Sequence, residues 1–155
     1  MLSIPFLFTH INLSTIERNK GVGQMLEVYI DGASAGNPGP SGIGIYIKGE
    51  GHHLRFSEYA GIFDNHTTEF MALLRGLEEA KLLSPGIVSI RSDSQVVVAA
   101  FEKRFVKNLV YKELLDKALE IADTFEYCFI KWIPTSTNLT ADQLARKAIQ
   151  QNKVE

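Results

Sequence analysis

The chain has 155 residues, 45% hydrophobic and 22% charged, which is the size and composition of one globular domain rather than a disordered segment. Sixteen basic and eighteen acidic side chains give a net charge of −2. That balance excludes a uniformly basic nucleic-acid binder and leaves room only for a local basic patch.

The single cysteine, Cys128, has no partner for an internal disulfide, so nothing calls for an oxidising compartment. The four histidines (His10, His52, His53 and His66) are too scattered for a zinc site. His52 and His53, if on a strand, face opposite ways and cannot share a metal. Residues 2–8 are apolar but far shorter than a membrane span, and they lack the flanks of a signal peptide. The expected location is cytoplasmic.

Residues 1–24 show no clear period and end in the turn-like Lys20-Gly-Val-Gly-Gln24. They read as a loosely ordered N-terminal extension ahead of one domain over residues 25–155. From Leu26 the pattern sharpens. Leu26, Val28 and Ile30 alternate with Glu27, Tyr29 and Asp31, a strand period. Residues 32–40, rich in Gly, Pro and Asn, read as a turn or loop. Ile43, Ile45 and Ile47 mark a second strand and residues 54–59 a third, so three strands with short connections form an antiparallel meander.

The period then becomes helical. Residues 68–83 space Phe70, Leu73, Leu74, Leu77 and Ala80 along one face, and Ser84-Pro-Gly86 ends the helix. A short strand over 87–90 follows, then helices over 95–103 and 109–122, a strand over 126–133 and a helix over 140–150. The sum is a mixed sheet with helices packed against it.

Four acids stand at element ends. Asp31 closes the first strand and Asp93 follows the fourth, the strand ends where open α/β sheets place ligands. Glu69 lies on a helix face with Ala72, Leu73, Gly76 and Ala80, and Asp142 lies with Ala145 and Ile149. Both faces look buried, where a carboxylate is costly unless paired with a cation. Singly, each acid has an ordinary role: Asp31 starts a turn, Asp93 caps a helix, Glu69 is solvated, Asp142 favours a helix dipole. Together they are hard to attribute to capping. Converging carboxylates repel and need divalent cations at neutral pH, and oxygen-only donors select Mg²⁺ or Mn²⁺ over zinc.

Four segments carry a resemblance: Tyr29-Ile-Asp-Gly-Ala-Ser-Ala-Gly-Asn-Pro-Gly-Pro40, Thr67-Thr-Glu-Phe-Met-Ala-Leu-Leu74, Ser92-Asp-Ser-Gln95 and Asn138-Leu-Thr-Ala-Asp-Gln-Leu-Ala145. In that order they resemble the signature segments of type 1 ribonuclease H over about residues 26–151. The resemblance implies a ribonuclease H-like α/β fold, a mixed five-stranded sheet of three antiparallel and then two parallel strands with helices on both faces. It implies hydrolysis of the RNA strand of RNA/DNA hybrids by a two-metal-ion mechanism with Mg²⁺ or Mn²⁺, leaving 5′-phosphate ends. Its catalytic, metal-holding set falls on Asp31, Glu69, Asp93 and Asp142, and its substrate contacts on Asn37, Asn65 and Gln95, with His66 where the family has a second Asn. No membrane and no obligate protein partner is expected.

Two features depart from the family. Lys103, Arg104, Lys107, Lys112 and Lys117 form only a modest basic cluster in place of an inserted basic handle, and a solvated helix face explains them as well as a DNA track. The loop Ile133-Pro-Thr-Ser-Thr-Asn138 lacks the His that many members carry there. The alternative is therefore a nucleic-acid-binding module of the same fold with weak or lost catalysis. There is no Gly-Lys-Ser/Thr P-loop and no Gly-x-Ser-x-Gly elbow. Phe101, Phe105 and Trp132 read as core rather than as base-stacking platforms.

Overall fold

The computed structural model describes residues 25–154; the extension read over residues 1–24 lies outside the described residues. In chain order the elements are β1 (Met25–Ser34), β2 (Gly39–Gly49), β3 (His52–Phe63), α1 (Asn65–Leu82), β4 (Ile87–Ser92), α2 (Gln95–Lys103), α3 (Leu109–Ala122), β5 (Tyr127–Trp132), a 3-10 turn (Thr135–Thr137) and α4 (Leu139–Val154). The sheet order is β3-β2-β1-β4-β5. β1 pairs antiparallel with β2, and β2 with β3, whereas β1–β4 and β4–β5 are parallel. This is the mixed five-stranded sheet expected from the sequence.

Alternation along the strands sends Val28, Ile30, Ile43, Ile45, Ile47, Val88 and Ile90 to one side, where α1, α2 and α3 close over them. Phe70, Leu73 and Leu77 of α1 are fully buried there, each worth about 1.5–3 kcal/mol against exposure. α4 covers part of the other side, over β1, β2 and β3.

The structure corrects several boundaries. Residues 32–40 are not all loop: Gly32, Ala33 and Ser34 pair with Ile43, Gly42 and Ser41, and only residues 35–38 lie outside the ladder. Cross-strand hydrogen bonds outweigh the turn-forming composition. α1 starts at Asn65 rather than near residue 68, because Asp64 caps it, accepting from the Thr67 N–H at 3.1 Å and from the Thr67 hydroxyl. β3 also runs beyond residues 54–59 at both ends, since β2 offers it an equally long edge. Of the three aromatics read as core, Phe101 is buried, whereas Phe105 and Trp132 are 58% and 45% exposed. Phe105 lies past the end of α2, and Trp132 is the last residue of the edge strand β5.

Candidate active site

Two close backbone contacts, one on each side of the sheet, assemble the acids. A Cβ on Gly32 would stand 2.6 Å from the carbonyl carbon and oxygen of Thr68 and 2.8 Å from the Glu69 nitrogen. Glycine at this position lets α1 reach β1 and brings Glu69 beside Asp31. Gly44 is the cross-strand neighbour of Asp31. A Cβ there would stand 1.9 Å from the Ala141 carbonyl oxygen, so α4 too lies directly on the sheet and brings Asp142 in from the other side.

Parallel pairing supplies the remaining acid. Ile30 and Ser92 are register partners, so Asp31 and Asp93 follow adjacent strand positions. Asp93 is not a cap; Ser94 caps α2, accepting from the Val97 N–H at 3.2 Å. Asp93 is thus left to face the site, and the Trp132 indole N–H donates to its backbone carbonyl at 3.1 Å.

Asp31 is 9% exposed. Burial first, then the charge of Asp93, then the hydrogen bond and charge of Asp142 and the charge of Glu69 push its carboxyl from 3.8 up to about 8. All three other acids therefore act on Asp31. Glu69 is held by two neighbours on the same oxygen, the Ser94 hydroxyl at 2.9 Å and His66 Nδ1 at 3.0 Å. Arg146 Nε donates to Asp142 at 3.1 Å from one turn along α4.

The expected substrate-contact residues are brought together in part. The Asn65 N–H donates to Asn37 Oδ1 at 3.0 Å, which ties the β1–β2 turn to the start of α1. His66 is on the same turn and bonds Glu69, and Gln95 is the first residue of α2, exposed and two positions beyond Asp93. Of the basic cluster, Arg104 pairs with Asp123 at 2.7 Å, Lys112 with Asp116 at 2.7 Å and Lys117 with Glu113 at 3.5 Å.

Sequence reasoning missed Ser94 and Asn138 as parts of this site. Asn138 is 1% exposed, and its Nδ2 donates to the Ile30 carbonyl at 2.9 Å, fastening the turn before α4 to the strand position next to Asp31. An Asn at the start of the last helix, four residues before Asp142, was the available signal.

Every side chain around Asp31 that could ligate is an oxygen donor, apart from His66. That chemistry suits hard divalent cations. Among the described residues no three His, Cys, Asp or Glu side chains close into a ready-made metal cage. A Mg²⁺-type ion is ordinarily held by one or two carboxylates and completes its shell with water and phosphate oxygens, so an open set of this kind fits it.

The RNase H family model matches residues 23–150. The chain belongs to the RNase H family. It is 37% identical over 128 residues to the Enterococcus faecalis protein EbsB, a provisionally designated hydrolase, covering 81% of this chain and 95% of that one. Its fold is similar to the crystal structure of RNase H1 from the archaeon Halobacterium salinarum, with a TM-score of 0.77 at 30% identity, covering 82% of this chain and 98% of that one. LC11-RNase H1, solved in complex with an RNA/DNA hybrid, is similar at a TM-score of 0.76 and 32% identity, with 82% and 98% covered. Among the described residues no helix is long and apolar enough to cross a membrane.

Proposed function

We propose that the chain hydrolyses the RNA strand of RNA/DNA hybrids endonucleolytically, leaving 5′-phosphate ends. The observation that carries this reading is that Glu69, Asp93 and Asp142 all act on Asp31, whose carboxyl burial first and then these acids push up to about 8. Such repulsion serves no packing purpose and is relieved by cations.

Asp31, Glu69, Asp93 and Asp142 would hold two Mg²⁺ or Mn²⁺ ions, whose chemistry is to stabilise charge on the attacking and leaving oxygens of a phosphodiester. The chain's own residues do the rest. Ser94 and His66 fix the Glu69 carboxylate, and Arg146 fixes Asp142. Asn37, Asn65, His66 and Gln95 would read the wide minor groove of a hybrid, whose 2′-hydroxyls distinguish RNA from DNA. Pro134 and the 3-10 turn Thr135–Thr137 offer hydroxyls alone, and the Thr137 hydroxyl already donates to the Pro134 carbonyl at 3.0 Å. General-base help from this loop is therefore absent, a contribution ordinarily about 10²–10⁴-fold, so turnover is slow rather than lost.

Labelled RNA/DNA, RNA/RNA and DNA/DNA duplexes incubated with Mg²⁺, Mn²⁺ or chelator test the reading. The expected result is cutting of the hybrid alone and only with metal. Asp93→Asn should slow it on the order of 10²–10³-fold, the usual loss when one preorganised electrostatic group is removed. Equal cutting of DNA/DNA, or cutting in chelator, would overturn the reading. Binding of hybrids with no cutting in either metal would favour a binding module instead.

A further inference from the structure

Below α4, the side of the sheet that carries Asp31 has no helix over it among the described residues. Two cross-strand rows occupy it. Register places Arg55 beside Tyr46, Tyr46 beside Tyr29, Tyr29 beside Arg91 and Arg91 beside Lys131. The next row is His53, Lys48, Glu27, Ser89 and Phe129. Strand alternation points both rows the same way. Lys48, Arg55, Arg91 and Lys131 thus face Glu27 alone on this patch, in a chain whose net charge is −2.

The cations are partly fixed in place. The Arg55 guanidinium lies 4.8 Å from the Tyr46 ring centre, and Arg91 and Lys48 lie 5.6 and 5.4 Å from that of Tyr29. Glu27 is shared by Arg91 at 2.9 Å and Lys48 at 3.4 Å. Among the described residues Arg55 and Lys131, both exposed, have no carboxylate partner. A polar notch of about 170 Å³ opens between Tyr29, Tyr46, Lys48 and the first turn of α4 at Thr140 and Ala141, where helix N–H groups favour an oxyanion.

We propose that this face is a second nucleic-acid contact, gripping the phosphate backbone of the strand that continues beyond the cleaved site. The charge sign selects a polyanion, and the tyrosine faces are taken up by cations, so the grip is on phosphates rather than on stacked bases. Proximity supports the same occupant. Tyr29 and Arg91 each precede an active-site acid, Asp31 and Asp93, by two residues, a step of about 7 Å along a strand. A backbone leaving the acids therefore meets these rows next. The inference rests on the proposed reading of the site as a hybrid nuclease.

The test pairs Arg55→Gln with Lys131→Gln, both exposed and outside the acid cluster. Cleavage is compared on a short hybrid confined to the active site and on one with a long single-stranded overhang. The double variant should raise KM for the long substrate several-fold, leave kcat unchanged, and leave the short substrate unaffected. In binding assays under chelator, the slope of log affinity against log salt for the long substrate should fall by roughly two. The charge-preserving pair Arg55→Lys and Lys131→Arg should restore both values. An unchanged slope and KM would sink the proposal while wild-type cutting still upheld the nuclease reading. If wild type cuts nothing, that reading fails, and the binding slope still judges the face by itself. Polyglutamate competing as well as single-stranded DNA would overturn the assignment to nucleic acid in favour of an acidic protein partner.

Discussion

Asp31 concentrates the electrostatic cost of the site. Its carboxyl titrates near 8 in the folded chain against an ordinary 3.8, so the folded state holds the proton more tightly than the unfolded one. The sign follows from linkage: this contribution to stability is full below pH 3.8 and is lost as pH rises through about 8. Thermal melts in chelator should fall across that window, Mg²⁺ or Mn²⁺ should raise the melting temperature most at its alkaline end, and Asp31→Asn should flatten the pH dependence. A wild-type melting temperature that is pH-independent in chelator would show the acids do not crowd one another. Asn138 carries a different burden. Its Nδ2 bond to Ile30 is buried, and its Oδ1 is buried with no hydrogen-bond partner among the described residues. Asn138→Ala strands the Ile30 carbonyl, so it should cost about 1–3 kcal/mol and lower kcat by loosening Asp142 against Asp31. Asn138→Asp keeps the shape and removes the donor; a fully active Asn138→Asp would refute the positioning role. Cys128, by contrast, is held up to about 12, first by burial and then by Asp123, and is an inert thiol.

Helix placement follows from which backbones can touch. α4 rests on β2 at Gly44, where a methyl group would meet the Ala141 carbonyl, and the Ser57 hydroxyl donates to the Leu144 carbonyl at 2.7 Å from β3. Gly44→Ala must push α4 off the sheet. It should destabilise by about 1–3 kcal/mol, the usual cost of overpacking, and also carry Asp142 away from Asp31. The check is a denaturant melt alongside the cleavage rate, with loss of rate exceeding the loss of folded protein. Unaltered activity would mean α4 tolerates displacement and Asp142 is not held by it. The start of α1 is similarly fixed by Asp64. Burial alone would raise its carboxyl, but hydrogen bonds from Thr67 and Tyr111 outweigh that and lower it. The Tyr111 hydroxyl reaches Asp64 at 3.2 Å, and its ring stacks on Phe70 at 5.0 Å, joining α3 to the turn that carries His66 and Glu69.

At the scale of the whole molecule, the described residues 25–154 by themselves hold a five-stranded sheet, a buried core and all four acids. A chain starting at Met25 should therefore fold, melt within a few degrees of full length and cut hybrids within a few-fold of the full rate. Collapse of the truncated chain in circular dichroism would show that residues 1–24 complete the core. Net charge also has a role at this scale. With sixteen basic residues, several of them paired with carboxylates, few counterions should be released on binding, so affinity for hybrids should be modest and its salt slope shallow.

Periodicity and spacing alone pointed to the element sequence and the antiparallel meander, because alternation of Leu26, Val28 and Ile30 and helical spacing of Phe70, Leu73 and Leu77 are local properties, whereas the four acids stood out as a set only through the family resemblance. The ends of elements were not local. Gly32 to Ser34 joined a strand because β2 offered partners, and Asp64 moved the start of α1 by capping it. The placement of Asp93, Ser94 and Asn138 likewise needed elements far apart in sequence: Asn138 bonds Ile30 across 108 positions and Ser94 bonds Glu69 across 25. Sequence showed which residues could hold charge. Tertiary structure decided which would share it, because the Coulombic field at Asp31 depends on distances that only the packing of two helices against Gly32 and Gly44 establishes. It also decided that Arg55, Arg91 and Lys131 share one row across the sheet, since they sit on three strands and are aligned, with Tyr46 and Tyr29 between Arg55 and Arg91, only through register.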